Sequence, residues 1–157
     1  MSGAPITCPP ITCAPITRAR VVEEARTWLG TPYLHRASAR GAGADCLGLV
    51  RGVWRGLYGA EPEPLAPYAP DWAEASRCET LALCAGRHLR VLPVAQARPG
   101  DVVLFRFRAH LPAKHAAILS APGFMIHAYD GVAVCEGHLT PWWRRHLAHA
   151  FAFPGVE

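Results

Sequence analysis

Past residue 45, Leu49, Val50, Val53, Trp54 and Leu57 recur at helical spacing, and the pattern predicts a helix that begins at Cys46. Asp45 stands in its N-cap position, and Arg40-Gly41-Ala42-Gly43-Ala44 before it reads as a loop. Beyond residue 98 the pattern changes to short apolar runs. Arg98-Pro99-Gly100-Asp101 reads as a turn, and strands are predicted over Val102–Phe105, Lys114–Leu119, Phe124–Tyr129 and Val132–Cys135. The last two flank Asp130-Gly131, a strong short-range hairpin signal. Between the first helix and these strands, Trp72–Cys84 reads as helical. Near the end, Pro141–Leu147 reads as a short helix and Ala150–Pro154 as a final strand.

This layout places one cysteine where a thiol can become a nucleophile. A free thiol has a pKa of roughly 8.5, so little of it is thiolate at neutral pH. The unpaired N–H groups at a helix start favour negative charge, and Cys46 occupies that position. An inert buried cysteine would fit the same pattern, so the reading depends on partners. His115 and His127 supply them: each lies on a predicted strand in an otherwise apolar setting, and the two strands are neighbours. One histidine can pair with the thiol while the other orients it.

Chain order now carries a resemblance. Trp28-Leu29-Gly30-Thr31-Pro32-Tyr33, Asp45-Cys46-Leu47-Gly48-Leu49-Val50, Pro99-Gly100-Asp101-Val102-Val103, His115 with Ile118, and Ile126-His127-Ala128 follow one another as in the NlpC-type papain-like cell-wall peptidases. From about Val21 to Phe153 the chain resembles that family. The resemblance implies an α+β, papain-like fold with the nucleophile helix packed on a small antiparallel sheet. It implies Cys46 as nucleophile, His115 as general base and acid, His127 as the orienting third member, and Tyr33 as a hydroxyl near the thiolate or oxyanion. It implies no cofactor and no metal. The implied substrate is a peptidoglycan stem peptide, cut between D-γ-glutamate and a diamino acid. Two departures bear on the substrate pocket: His35-Arg36 stand near where the family often has Trp-Gly-Gly, and Leu47 replaces the usual serine after the cysteine.

The chain has 157 residues, enough to bury a core without staples. The domain reading is an extended arm over residues 1–17 and a peptidase domain over 18–157. The arm repeats Pro5-Ile6-Thr7-Cys8, Pro10-Ile11-Thr12-Cys13 and Pro15-Ile16-Thr17, a proline spacing that opposes helix. No apolar run is long enough to span a membrane, and the N-terminus lacks the pattern of a secretory signal. A wall enzyme without that export route is expected to be made in the cytoplasm and delivered by a phage-like particle. The insertion, proline-rich over Leu57–Pro64 and Pro67–Glu74 and then helical from Trp72 to Cys84, and the Cys-Leu-Gly-Leu-Val variant resemble the phage-tail subgroup, with gene-transfer particles equally compatible. The Pro5–Thr17 arm is then a docking arm onto a tail or baseplate protein. The net charge is +4, and Lys114 is the one lysine. Basic residues are scattered, which gives nucleic-acid binding little support. The cysteine spacings form no Cys-x-x-Cys zinc pattern, and there is no His-Glu-x-x-His. His110 is the rival to His115 as base, His35 is expected at the cleft, and Trp142-Trp143 are read as core packing. Two other functions share the same residues: a thiol acyltransferase or amidase on another substrate, and a catalytically idle structural tail component.

Overall fold

Thr17 caps the first helix, α1 (Arg18–Arg26), by accepting the Arg20 N–H at 3.1 Å. The computed structural model describes residues 14–64, 75 and 77–157, so most of the repeat arm and much of the insertion lie outside the described residues. Helix α1 buries Val21, Val22 and Ala25. It is pinned from its first turn by Arg18, which pairs with the fully buried Asp101 carboxylate. A short hairpin follows, β1 (Ser38–Ala39) with β2 (Gly43–Ala44), and then the long helix α2 (Cys46–Tyr58). The insertion emerges as α3 (Thr80–His88).

Six strands build the sheet: β3 (Arg90–Leu92), β4 (Val102–Phe105), β5 (His115–Ala121), β6 (Phe124–His127), β7 (Cys135–His138) and β8 (Leu147–Ala152). Their spatial order is β3-β8-β4-β5-β6-β7, and every pairing is antiparallel. The last helix, α4 (Pro141–His146), starts on a proline and is capped by Thr140.

Strand alternation explains why the sheet is covered on both sides. Val102, Leu104, Ala116, Ile118 and Ile126 point to the face where α1, α2 and α3 lie, with Val21, Trp28, Leu49, Val53 and Leu81. Val103, Phe105, Ala117, Leu119 and Met125 point to the other face, where Trp143 and Leu147 cover them. A Val, Leu, Ile or Phe side chain buried fully in such a layer contributes about 1.5–3 kcal/mol. None of the helices among the described residues is long and apolar enough to cross a membrane.

Packing between α1 and α2 is close enough to fix residue size. A Cβ on Gly52 would overlap the indole of Trp28, itself 3% exposed. Gly52→Ala is therefore expected to cost about 1–3 kcal/mol, the usual penalty of overpacking. A urea midpoint indistinguishable from wild type would show that the indole can move aside.

Several elements differ from the pattern reading. Helix α1, the hairpin β1–β2 and strand β3 carry no clear periodic signal and were not expected. The insertion helix begins at Thr80 and runs to His88, past the expected end at Cys84; the expected start at Trp72 lies outside the described residues. Glu79, at the N-cap of α3, makes no capping bond, because its carboxylate binds Arg106 and accepts the Ala113 N–H at 3.1 Å. The last strand starts earlier than expected, at Leu147.

A further difference, at β7, shapes the site. The strand expected over Val132–Cys135 instead begins at Cys135, and Asp130-Gly131 do not close a two-residue hairpin. Val134 is drawn elsewhere: it donates to the Thr31 carbonyl at 2.8 Å and accepts the Gly30 N–H at 2.9 Å. The chain between β6 and β7 thus widens into a loop, with the Val132 N–H on the Tyr129 carbonyl at 2.9 Å.

Candidate active site

Cys46 is the first residue of α2, and its surroundings hold that helix start rigidly. Asp45 caps it, with Oδ1 accepting the Gly48 N–H at 2.7 Å. The other oxygen, Oδ2, accepts the Arg36 N–H at 2.7 Å and lies 3.8 Å from Nδ1 of His35. Arg36 adopts φ 63°, the left-handed region that favours glycine. Left-handed backbone at a residue with a side chain carries strain of roughly 1–2 kcal/mol. Gly48 has no room for a side chain, because a Cβ would run into the Ala37 carbonyl. The 36–44 segment therefore presses on the first turn of α2 and sets where the thiol sits.

The sulfur of Cys46 lies 3.9 Å from the Lys114 carbonyl oxygen, at the entrance to β5. The next residue, His115, is 6% exposed and opens that strand. His127 closes β6, at 7% exposure. The two rings meet edge to face, with His115 Nε2 2.9 Å from His127 Nδ1. One of these nitrogens donates and the other accepts. When Nε2 of His115 carries the proton, its Nδ1 is left with a lone pair.

A cavity of about 280 Å³ joins these groups. Cys46 and His115 both line it, as do Tyr33, His35 and Asp45 from the front of the chain and Tyr129 and Asp130 from the widened β6–β7 loop. The structure thus brings the sequence-predicted Cys46, His115 and Tyr33 to one cavity, with His127 bonded to His115. His110 is exposed in the β4–β5 loop and does not line the cavity.

Electrostatics hold the resting site neutral. Burial pushes the Cys46 thiol up to about 12, against backbone hydrogen bonds from Ala116, Leu47 and Cys46 itself that pull it down, with Asp45 adding to the rise. Burial, and then the neighbouring His127, lower His115 to about 3. Burial lowers His127 to about 4. Tyr33 is raised to about 12 by burial, helped by Cys46, Asp45 and Asp130, so its hydroxyl keeps its proton as a donor. Burial thus favours the neutral thiol and the neutral imidazole.

Sequence reasoning missed the aromatic walls. Core packing was expected of both Trp142 and Trp143; Trp142 is instead 43% exposed, whereas Trp143 covers the second face of the sheet and its ring also stacks on His115, with centroids 5.3 Å apart and planes at 30°. Phe107 stacks on the same imidazole at 6.0 Å, and Tyr129 meets it edge-on at 5.6 Å. No local pattern signals these contacts, which arise where the β4–β5 loop, the β6–β7 loop and α4 converge.

The fold agrees with known proteins. The sequence matches the NlpC/P60 family over residues 30–152. It is 30% identical over 128 residues to the gamma-DL-glutamyl hydrolase of Bacillus subtilis strain 168. That alignment covers 81% of this chain and 27% of the relative, so the chain spans about a quarter of that protein's length. Among solved structures, the NlpC/p60 domain of the peptidoglycan hydrolase SagA superposes with a TM-score of 0.65 at 22% identity, covering 88% of this chain and all of that one. An NlpC/P60 family protein from Bacillus cereus ATCC 10987 gives 0.64 at 19% identity, covering 89% of this chain and 41% of that one. These two share the α+β, papain-like fold. With a sequence match across most of its length and the same fold, the chain belongs to the NlpC/P60 family.

Proposed function

We propose that this chain is a cysteine endopeptidase that cuts peptidoglycan stem peptides, with Cys46 as nucleophile, His115 as general base and acid, and His127 as the group that orients His115. The observation that carries the reading is the His115–His127 hydrogen bond beside the cavity that holds Cys46. With Nε2 of His115 engaged by His127, Nδ1 is the nitrogen left to take the thiol proton as sulfur attacks the scissile carbonyl. The carbonyl oxygen becomes an oxyanion, and the Cys46 N–H at the helix start and the Tyr33 hydroxyl are donors available to it. His115 then passes the proton to the leaving amine, the C–N bond breaks, and a thioester remains. Water, deprotonated by His115, attacks the thioester and frees the acid and the thiol. His127 keeps the His115 ring in one tautomer and orientation throughout.

The finer reading is cleavage of the bond between D-γ-glutamate and a diamino acid. Support comes from the relative's name, a γ-glutamyl hydrolase, and from the family's wall substrates. A synthetic L-Ala–γ-D-Glu–diaminopimelate peptide is expected to release free diaminopimelate, read by mass spectrometry. The α-linked isomer is expected to resist. Equal cleavage of both isomers, or of neither, would remove the γ-glutamyl assignment.

For location, the reading is the tip of a phage-like tail or gene-transfer particle, made in the cytoplasm and acting in the wall or periplasm of the target cell. Its support is the insertion between α2 and β3, anchored by Arg51 and Arg55 on Glu61 and by Arg87 on Glu63. The Pro5–Thr17 arm would dock on a tail protein. Deleting residues 2–12 is expected to abolish assembly into particles and leave peptide cleavage within about twofold, since the arm lies apart from the site residues on the chain. Normal incorporation of the truncated chain would discard the docking role.

A further inference from the structure

We propose that Trp143 is a positioning residue for His115, whose indole face holds the imidazole in place and stabilises the imidazolium that forms when Cys46 gives up its proton. This rests on Cys46 and His115 being the reacting pair. Trp143 arrives from a different part of the chain than either. Thr140 caps α4 by accepting the Trp143 N–H at 3.4 Å, and Pro141 fixes the first turn, so the indole is placed by a rigid helix start.

Two further rings contact the indole. Phe105 meets it at 4.8 Å and 64°, and Trp142 at 5.0 Å and 90°. Its face is turned to His115 at 5.3 Å and 30°, while its contacts with His127 and Tyr129 are both nearly perpendicular, at 5.4 Å and 5.8 Å. One side chain thus touches both histidines and presents its π-face to the one that must carry charge.

That face matters because it adds to the Phe107 ring and to the Asp45 and Asp130 carboxylates, which line the same cavity as His115. Burial opposes the charged form, and the ring nitrogen bonded to His127 is already engaged. A cation over an indole face within about 6 Å is attracted by the ring quadrupole, most strongly where water is excluded. A neutral imidazole gains far less, so the contact favours the state formed during proton transfer over the resting one. Other titratable groups surround His115. Cys46 and Asp45 come from the start of α2, and Tyr33 and His35 from the segment before it. His127, Tyr129 and Asp130 come from β6 and its loop, and Lys114 precedes His115 on its own strand. A change at position 143 leaves all of these charges in place, so an altered proton affinity reports on the indole.

The test uses the rate at which iodoacetamide alkylates Cys46, followed against pH by peptide mass spectrometry; it needs no substrate. Tetrafluorotryptophan at position 143 keeps the shape and removes the quadrupole, so it is expected to fold as wild type and to slow alkylation at pH 7 by about 10-fold. Trp143→Leu should slow it at least as much, and Trp143→Phe by no more than about threefold. In a His115→Ala background, none of these changes should have a further effect. Wild-type rates and pH profiles with the fluorinated ring would overturn the proposal, as would an equal loss in the His115→Ala background. If His115→Ala alone left Cys46 alkylation unchanged, the pairing of Cys46 with His115 would fail instead, a separate outcome.

Discussion

Cys46→Ala is expected to lower stem-peptide cleavage by about 10⁴-fold or more while the protein stays folded. The thiol is half-buried at the start of α2, and its removal takes away few packing atoms. The Asp45 cap bonds to Gly48 and Arg36 do not involve the sulfur. Thermal midpoints should therefore agree to within a few degrees even as activity vanishes. His115→Ala is expected to lose nearly as much, and the double variant no more than the worse single one, because base and nucleophile act as one unit. The assay is digestion of purified muropeptides, with products identified by mass spectrometry. Retention of more than a tenth of wild-type activity by a folded Cys46→Ala variant would reject Cys46 as nucleophile. An inert but folded wild type would favour the idle-component reading.

The parts of this site that could be read from sequence are those with a local physical signature. Asp45 before Cys46 is legible as a cap because a short carboxylate can reach the third N–H of a helix, and it does so at 2.7 Å. Val102–Phe105 and the run after His115 are legible as strands because both faces of the sheet are buried, which turns them almost wholly apolar. The spacing of His115 and His127 then follows from a tight connection between β5 and β6.

Features set by distant partners were not legible. Asp130-Gly131 has the composition of a hairpin, yet the pairing of Val134 with Gly30 and Thr31 outweighs that local preference and opens the loop that carries Tyr129 and Asp130 to the cavity. Arg36 takes a glycine-like conformation in which Asp45 accepts its N–H. Trp143 reads as core filler, and the lower core does claim part of its ring; that its face meets His115 depends on how α4 crosses the end of the sheet. Side chains that recognise the reacting group came from motif order, whereas those that tune it came from tertiary contacts.

Acid is expected to weaken the fold before it silences the chemistry. His115 and His127 are held by burial at about 3 and about 4, well under the ordinary 6.5 of an exposed histidine. Both stay neutral in the folded state as pH falls through 6, whereas the unfolded chain takes up two protons there. Protons bound preferentially by the unfolded state lower stability as pH drops. The contribution of the pair is therefore complete above about pH 6.5 and is lost progressively down to the folded values, at up to about 1.4 kcal/mol per pH unit for each ring. Between pH 7 and pH 5 this amounts to a few kcal/mol, a large share of a typical folding free energy. Urea unfolding at the two pH values measures it, and His115→Asn should shrink the difference by more than about 1 kcal/mol by removing one of the two protons. The same neutrality means His115 is already a free base at pH 5. For protein that remains folded, kcat/KM should show no fall near pH 6.5, and its acid loss should follow unfolding. A reversible drop in kcat/KM centred on 6.5, with stability level from pH 7 to 5, would mean that the imidazole is as hydrated as a surface histidine and that the aromatic walls do not close around it.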